Sequence, residues 1–391
     1  MTSLSPTLPR NTADALARAR DLAAAFAQTA SAVDRDAAFP FANFDALQVA
    51  GLLNLTVPAE MGGMGVGLEP ACRVIGAIAQ GEPSTALVLA MHYIYHAVGA
   101  RGRWNAKAHT LLCSESLAGI ALINHLRSEP ELGTPSRGGL PLTTAVSTAA
   151  GWRISGHKLY ATGSPLLKYG LVWARTPEDD PTVGIFVVPL ASPGVRIVET
   201  WDHLGMRATG SHDLIMENVE LPLEFALDLR RSAEWLARPD PAQAAWNNLV
   251  LAALYNGIAI AARDWLTRYL HERTPSNLGA SLATLPRMQS AVGEIEALLF
   301  ANERIIFGLA RDLDAADPAA TAPGATSLAK YIASNNAVRA VGIAMSLVGN
   351  PGLSRTNDLE RHHRDVLCSR IHVPQDDMVL LGAGRLALGL P

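Results

Sequence analysis

The side chains with the clearest capacity for chemistry are histidines in two short runs, MHYIYHA at 91–97 and ERHHRDVLCSRIHVPQDD at 360–377. His92 and His96 are four apart, so on a helix they share a face. Imidazoles at that spacing can hold a metal or move protons. No glutamate follows the first histidine and no third ligand is evident, so no metal is expected. His362, His363, Cys368, His372, Asp376 and Asp377 form another metal-like set on paper. There, His362 and His363 read as a solvated helix end. An imidazole of ordinary pKa ~6.5 can donate a proton near neutral pH.

Other candidates lie between these runs. In GWRISGHKLYATGSP, residues 151–165, Gly156 suits a turn between two strands and Thr162 offers a hydroxyl on the second. A strand threonine taken alone is most often structural. Arg273 ends a long helical pattern. Its guanidinium can grip two phosphate oxygens, and it equally suits a solvated helix C-terminus. Gly349 and Gly352 in SLVGNPGLSR permit close approach of backbone to a cofactor. Gly63 and Gly65 begin a dinucleotide-like fingerprint, but its third glycine falls on Leu68 and no alternating strand–helix pattern surrounds it. A nicotinamide site is therefore rejected.

The elements that must position these groups change character twice. Residues 12–117 read as helices, among them Asp14–Ala30, Phe44–Gly51, Leu68–Gln80 and Ser84–Ala100. From 118 to 227, short β-rich runs alternate with turns: Leu142–Thr148, Trp152–Ile154, Leu171–Ala174, Val183–Pro189, Val195–Glu199 and Leu214–Val219. Helical periodicity returns over Ala242–Arg273, Leu285–Asp314 and Leu328–Val348, with Ala315–Thr326 a loop. The expected domains are 1–117, 118–227 and 228–391. The chain of 391 residues exceeds what one core supports. Its net charge of −4 and lack of a basic run give no reason to expect nucleic acid or an anionic membrane as partner. The apolar run Leu249–Ala262, broken by Asn256, is shorter than the ~18–20 residues of a bilayer span. With three cysteines and no apolar signal core, a cytoplasmic location is expected.

In their order these motifs resemble the acyl-CoA dehydrogenase family. Arg364, Asp365 and Ile371 match the family's last active-site segment, and residues 151–165 match its Gly-Trp-x-Leu-Asn-Gly-x-Lys-x-Trp-Ile-Thr run. HLGMRATGSHDLIMENVELP, residues 203–222, matches the end of its β domain. The resemblance implies an α+β fold: an N-terminal all-α domain, a middle β-barrel domain and a C-terminal four-helix bundle. It also implies a flavin, FMN or FAD, bound by Asn124, Tyr160, Thr162, Arg273, Gly349 and Gly352. Tyr160 would lie against the isoalloxazine, the Thr162 hydroxyl would reach its N5 region, and the assembly would be a homotetramer.

The departures are chemical. A dehydrogenase needs a base to remove a proton beside the thioester. The family's two positions for it hold Val373 and Asn247, and neither is a base. This resembles the flavin-dependent monooxygenase branch, which includes dibenzothiophene and dimethylsulfone monooxygenases. The branch implies reduced flavin from a separate reductase, O₂ and a small organic, potentially organosulfur, substrate. His372, His92, Asn124 and Thr162 then take the catalytic positions. Two alternatives stay open: a dehydrogenase or oxidase using Asp376 or Asp377 as a non-standard base, and a non-catalytic flavoprotein scaffold.

Overall fold

The computed structural model describes residues 6–132, 139–237, 240–316 and 322–390. The chain runs helices, strands, helices. The first group is α1 (Thr12–Asp36), α2 (Phe41–Val49), α3 (Leu68–Gly81), α4 (Pro83–Gly99) and α5 (Ala106–Ala118). Glu82 makes the break between α3 and α4: its carboxylate accepts from the N–H groups of Ser84 and Thr85, with Pro83 in the first turn. Nearly every residue of α4 is buried, as suits a helix apolar on all sides.

The strands are β1 (Leu122–Leu126), β2 (Thr144–Thr148), β3 (Gly151–Ala161), β4 (Leu167–Arg175), β5 (Thr182–Pro189), β6 (Val195–Val198), β7 (His212–Pro222) and β8 (Ala226–Arg231). They form one sheet ordered β6-β7-β3-β2-β4-β5-β8, with β1 joined to β4. The β1–β4 pairing is parallel and sets Asn124 opposite Gly170 and His125 opposite Leu171. Gly156 is no turn: it lies inside the continuous strand β3, where the register with β7 shifts. A side chain there would strike Thr143, whose Oγ1 would lie 2.3 Å from its Cβ. One face of the sheet, with Ile123, Leu171, Ile185 and Val187, joins the helical core. The other, with Trp152, Ile154, Phe186, Val188 and Leu214, forms a second, smaller core.

The last group is α6 (Ser232–Ala237), α7 (Pro241–Glu272), α8 (Pro286–Asp314), α9 (Ala325–Val348), α10 (Asn350–Leu353), α11 (Asp358–Leu367) and α12 (Asp376–Ala387). Helices α7, α8, α9 and α11 pack on one another. By length and composition α7 could cross a membrane, but 78% of its most apolar window is buried within the protein, as in a core helix. Asn256, which interrupts its apolar run, is bonded inside the bundle by Asn302 Nδ2, which also donates to the Ala333 carbonyl. Helices α3 and α7 meet at two glycines: a Cβ on Gly257 would lie 2.3 Å from the Gly76 carbonyl oxygen. Of the loop expected at 315–326, residues 317–321 lie outside the described residues.

Candidate active site

The end of β3 carries the first half of the site. Tyr160 has φ +57, and the β3–β7 register shifts between Lys158 and Ala161. This bulge leaves the Tyr160 ring 52% exposed. Trp201 and His203 stack at 3.6 Å, and Tyr160 meets both edge-on at 6.3 and 6.0 Å. The Trp201 indole is fixed by its N–H on the Met206 carbonyl. Beside this aromatic shelf runs a hydroxyl relay. Thr209 Oγ1 donates to Met206 O at 3.0 Å and lies 2.7 Å from Ser211 Oγ, which lies 2.9 Å from Thr162 Oγ1. Each hydroxyl has one proton. With Thr209 donating inward, Ser211 donates to Thr209 and Thr162 to Ser211. Both lone pairs of the half-buried Thr162 hydroxyl are then left to accept. Asn124 Nδ2 donates to the Thr162 carbonyl at 3.1 Å, so Asn124 positions this turn.

His92 is corrected by its surroundings. It is 1% exposed, with Nε2 3.0 Å from the Leu53 carbonyl and Nδ1 accepting from the Ile123 N–H at 3.3 Å. Both nitrogens serve the backbone, and none is left for a substrate. Burial lowers its pKa to about 4, so it is a neutral brace between α4 and β1. His96 packs edge-on against it and reaches Ser116 Oγ at 3.0 Å.

The second half is the segment after α11. The Arg364–Asp365 pair fastens it. Arg364 binds Asp34 of α1 at 2.6 Å, Glu360 at 2.8 Å and the Leu204 carbonyl, while Asp365 accepts from the Met206 N–H at 2.7 Å. Beyond it, Lys330 of α9 donates to the carbonyls of His372 and Pro374 at 2.6 and 2.7 Å, gripping the backbone on both sides of Val373. The His372 ring lies 5.7 Å from that of Tyr255, and its Nε2 is buried with no hydrogen-bond partner; the Tyr255 hydroxyl is also unpartnered. Burial, then the nearby Lys330 charge, lowers the His372 pKa to about 4. Of the neutral and cationic forms that could donate a proton, the lowered pKa favours the neutral one for His372. Val373 is 40% exposed and Asn247 half-buried. Asp376 accepts from Asn335 Nδ2 of α9 at 2.9 Å.

Three further expected positions, Arg273, Gly349 and Gly352, lie at helix ends. Arg273 is exposed at the C-terminal end of α7, about 27 Å along the helix beyond Tyr255 at 1.5 Å per residue. Gly349 adopts φ +62 between α9 and α10 with open space around its Cα, and Gly352 is buried against Val348. His362 is buried, which corrects its reading as solvated. Among the described residues, no three His, Cys, Asp or Glu side chains converge as a metal site. Sequence reasoning missed Lys330 and Tyr255, whose partners are remote in the chain. It also missed the buried pair Lys158–Glu129, at 2.5 Å, for which the only signal was a lysine inside a strand pattern.

An aromatic shelf and an accepting hydroxyl fit a planar flavin ring. The comparisons with known proteins agree with that fit. Family models describe residues 12–111, 126–219 and 242–373 as the N-terminal, middle and C-terminal domains of acyl-CoA dehydrogenase. The chain is 35% identical over 359 residues to "Putative acyl-CoA dehydrogenase YdbM" of Bacillus subtilis (strain 168), covering 91% of each. It is 28% identical over 372 residues to amino sugar nitrososynthase RubN8 of Streptomyces rubradiris, covering 91% of this chain and 85% of that one. The fold is shared with FMN-bound TdsC from Paenibacillus sp. A11-2, at TM-score 0.82 and 22% identity over 96% and 98% of the two chains.

Proposed function

We propose that this chain, which belongs to the acyl-CoA dehydrogenase family, works as a two-component flavin-dependent monooxygenase on a small organic substrate, with organosulfur compounds the class to test first. It is an oxidoreductase of that family, and its cofactor is a flavin. The observation that carries the finer reading is the missing base: Val373 and Asn247 stand where a dehydrogenase needs a carboxylate. When bound and reduced, the flavin supplies the electrons that activate O₂.

This chain's residues would do the following. The exposed Tyr160, braced edge-on by the Trp201–His203 stack, offers an aromatic surface for the ring. Thr162 accepts an N–H, which suits the N5–H of a reduced ring, and Asn124 holds the turn that carries it. His372, neutral, presents an unpartnered Nε2 as donor or acceptor, according to tautomer, at the place vacated by the base. A carboxylate there would oppose negative charge forming on oxygen. Lys330 fixes the segment. Arg273 is too far along α7 to serve the same copy's cleft, which supports a homo-oligomer in which it faces a neighbour's flavin phosphate. A separate reductase would supply the reduced flavin.

The relative named as an acyl-CoA dehydrogenase favours a second reading, proton abstraction by an unrecognised base. Of the two candidates, Asp376 is engaged by Asn335 Nδ2, which weighs against it. The test supplies reduced FMN or FAD, ¹⁸O₂ and a panel of organic sulfides and sulfones. One ¹⁸O atom per product molecule is expected. Turnover of acyl-CoA thioesters with an artificial electron acceptor, and no labelled product, would overturn the proposal.

A further inference from the structure

A second polar group lies where β1 and β4 face the helices. Side chains two apart on a strand share a face. His125 meets Tyr95 of α4 edge-on at 5.3 Å, and Tyr95 is bonded in turn to Gln243 of α7. Two residues along, the Arg127 guanidinium lies over the Trp173 ring of β4 at 4.8 Å. Leu126 between them is sealed at 1% exposure, whereas His125 and Arg127 are only half-buried. These two side chains lie between β1, β4, α4 and α7.

The inventory of donors and acceptors there is lopsided. Arg127 Nε, Arg175 Nε, Trp173 Nε1 and both ring nitrogens of His125 are buried without a hydrogen-bond partner. The adjoining carboxylates are already engaged. Glu129 takes Lys158 Nζ, Thr143 N and Oγ1, and Leu142 N; Asp228 takes Arg230. Burial works against the Arg127 charge. Among the described residues no carboxylate bonds the buried Arg127 Nε, and leaving a charged donor unpartnered is costly, a cost that stacking on indole recovers only in part. A surplus of N–H donors around a planar cation is what an oxyanion needs.

We propose that this cluster of unpartnered donors forms an anion subsite that takes the sulfonate, sulfinate or carboxylate group of a small organic acid, with Arg127 as its principal contact. This names the substrate class for the cleft described above. It rests on substrate entering that cleft and not on oxygenation being the reaction. A delocalised anion could also come from the pyrimidine edge of a reduced flavin, so the test separates the two sources.

Benzenesulfonate and its neutral near-isostere methyl phenyl sulfone are titrated into the full-length protein by calorimetry, without O₂. Wild type should prefer the sulfonate by about tenfold or more, the scale of one charged contact. Arg127→Gln should lose about tenfold for the sulfonate while its affinities for the sulfone and for reduced FMN stay within about twofold. Arg127→Lys should recover part of the loss. Equal wild-type affinity for the two probes overturns the subsite, and that comparison needs no variant to fold. A loss confined to reduced FMN overturns the substrate assignment in favour of the flavin. If sulfonate binding holds but no ¹⁸O is incorporated, the monooxygenase reading falls and this one stands.

Discussion

His92 on α4 and His372 after α11 are both held neutral, each with a pKa lowered to about 4 chiefly by burial. Their wiring is opposite. His92 gives one nitrogen to Leu53 and the other to Ile123, and so closes the seam between a core helix and the first strand. His372 has a buried Nε2 with no hydrogen-bond partner, beside Tyr255, on a segment held by Lys330. The sheet repeats the contrast. Lys158 and Glu129 saturate each other, while His125 and Arg127 a few residues away do not. Burial and residue type are thus alike in scaffold and site, and the remaining unpaired capacity separates them. An unsatisfied buried polar group is costly unless a ligand completes it.

The largest effect expected is at the saturated pair. Lys158→Met should leave Glu129 buried without its cation and cost about 3–5 kcal/mol of stability, measured by urea denaturation at neutral pH. Adding Glu129→Gln should restore part of it. If the single variant is as stable as wild type, the pair is not the brace described here.

Acid should act on the seam next. In the folded state His92 titrates near pH 4, against 6.5 unfolded, so between those values the unfolded chain binds more protons. Stability should be full above pH 6.5 and fall as pH drops to 4, by up to about 3 kcal/mol at 1.36 kcal/mol per pKa unit. His372 contributes in the same window and direction. His92→Gln should flatten that slope in urea melts taken across the range. An unchanged slope would remove His92 from the account.

The two histidines can then be compared directly. His372→Ala should keep its melting temperature, release more H₂O₂ and form less product per O₂ consumed. Loss of one preorganised group is worth about 2–4 kcal/mol on the productive barrier. His92→Ala should instead lose folded protein. Exchanged outcomes would break the contrast outright.

The order of helices, strands and helices was legible because apolar periodicity switches near residues 118 and 227. Strands β1 and β8 were not, since LINHL and ALDLRR carry polar and charged residues that mask a β pattern. Thr162 was picked out by its motif, but its acceptor character depends on Ser211 and Thr209, some 49 residues on. The role of His92 was illegible because its partners lie 39 and 31 residues away and are backbone atoms. The reading of Val373 as a vacated base position rests on the resemblance and uses no geometry, because a valine cannot take a proton.

That valine supports the smallest and most diagnostic change. The carbonyls of His372 and Pro374 are both held by Lys330, so a side chain introduced at 373 inherits a fixed backbone. Val373 is 40% exposed, so a longer carboxylate has room without displacing core. Val373→Glu should therefore restore a positioned base in a pocket not otherwise built for a thioester. The readout is exchange of the α-protons of butyryl-CoA in D₂O, followed by NMR, which needs no electron acceptor. Wild type should show no exchange above buffer. The variant should show slow exchange that rises with pH as the carboxylate ionises, since only its charged form takes a proton. Exchange by wild type at a comparable rate would mean that a base already operates in the cleft. The contrast between a silent position 373 and an active His372 would then give way to the dehydrogenase reading.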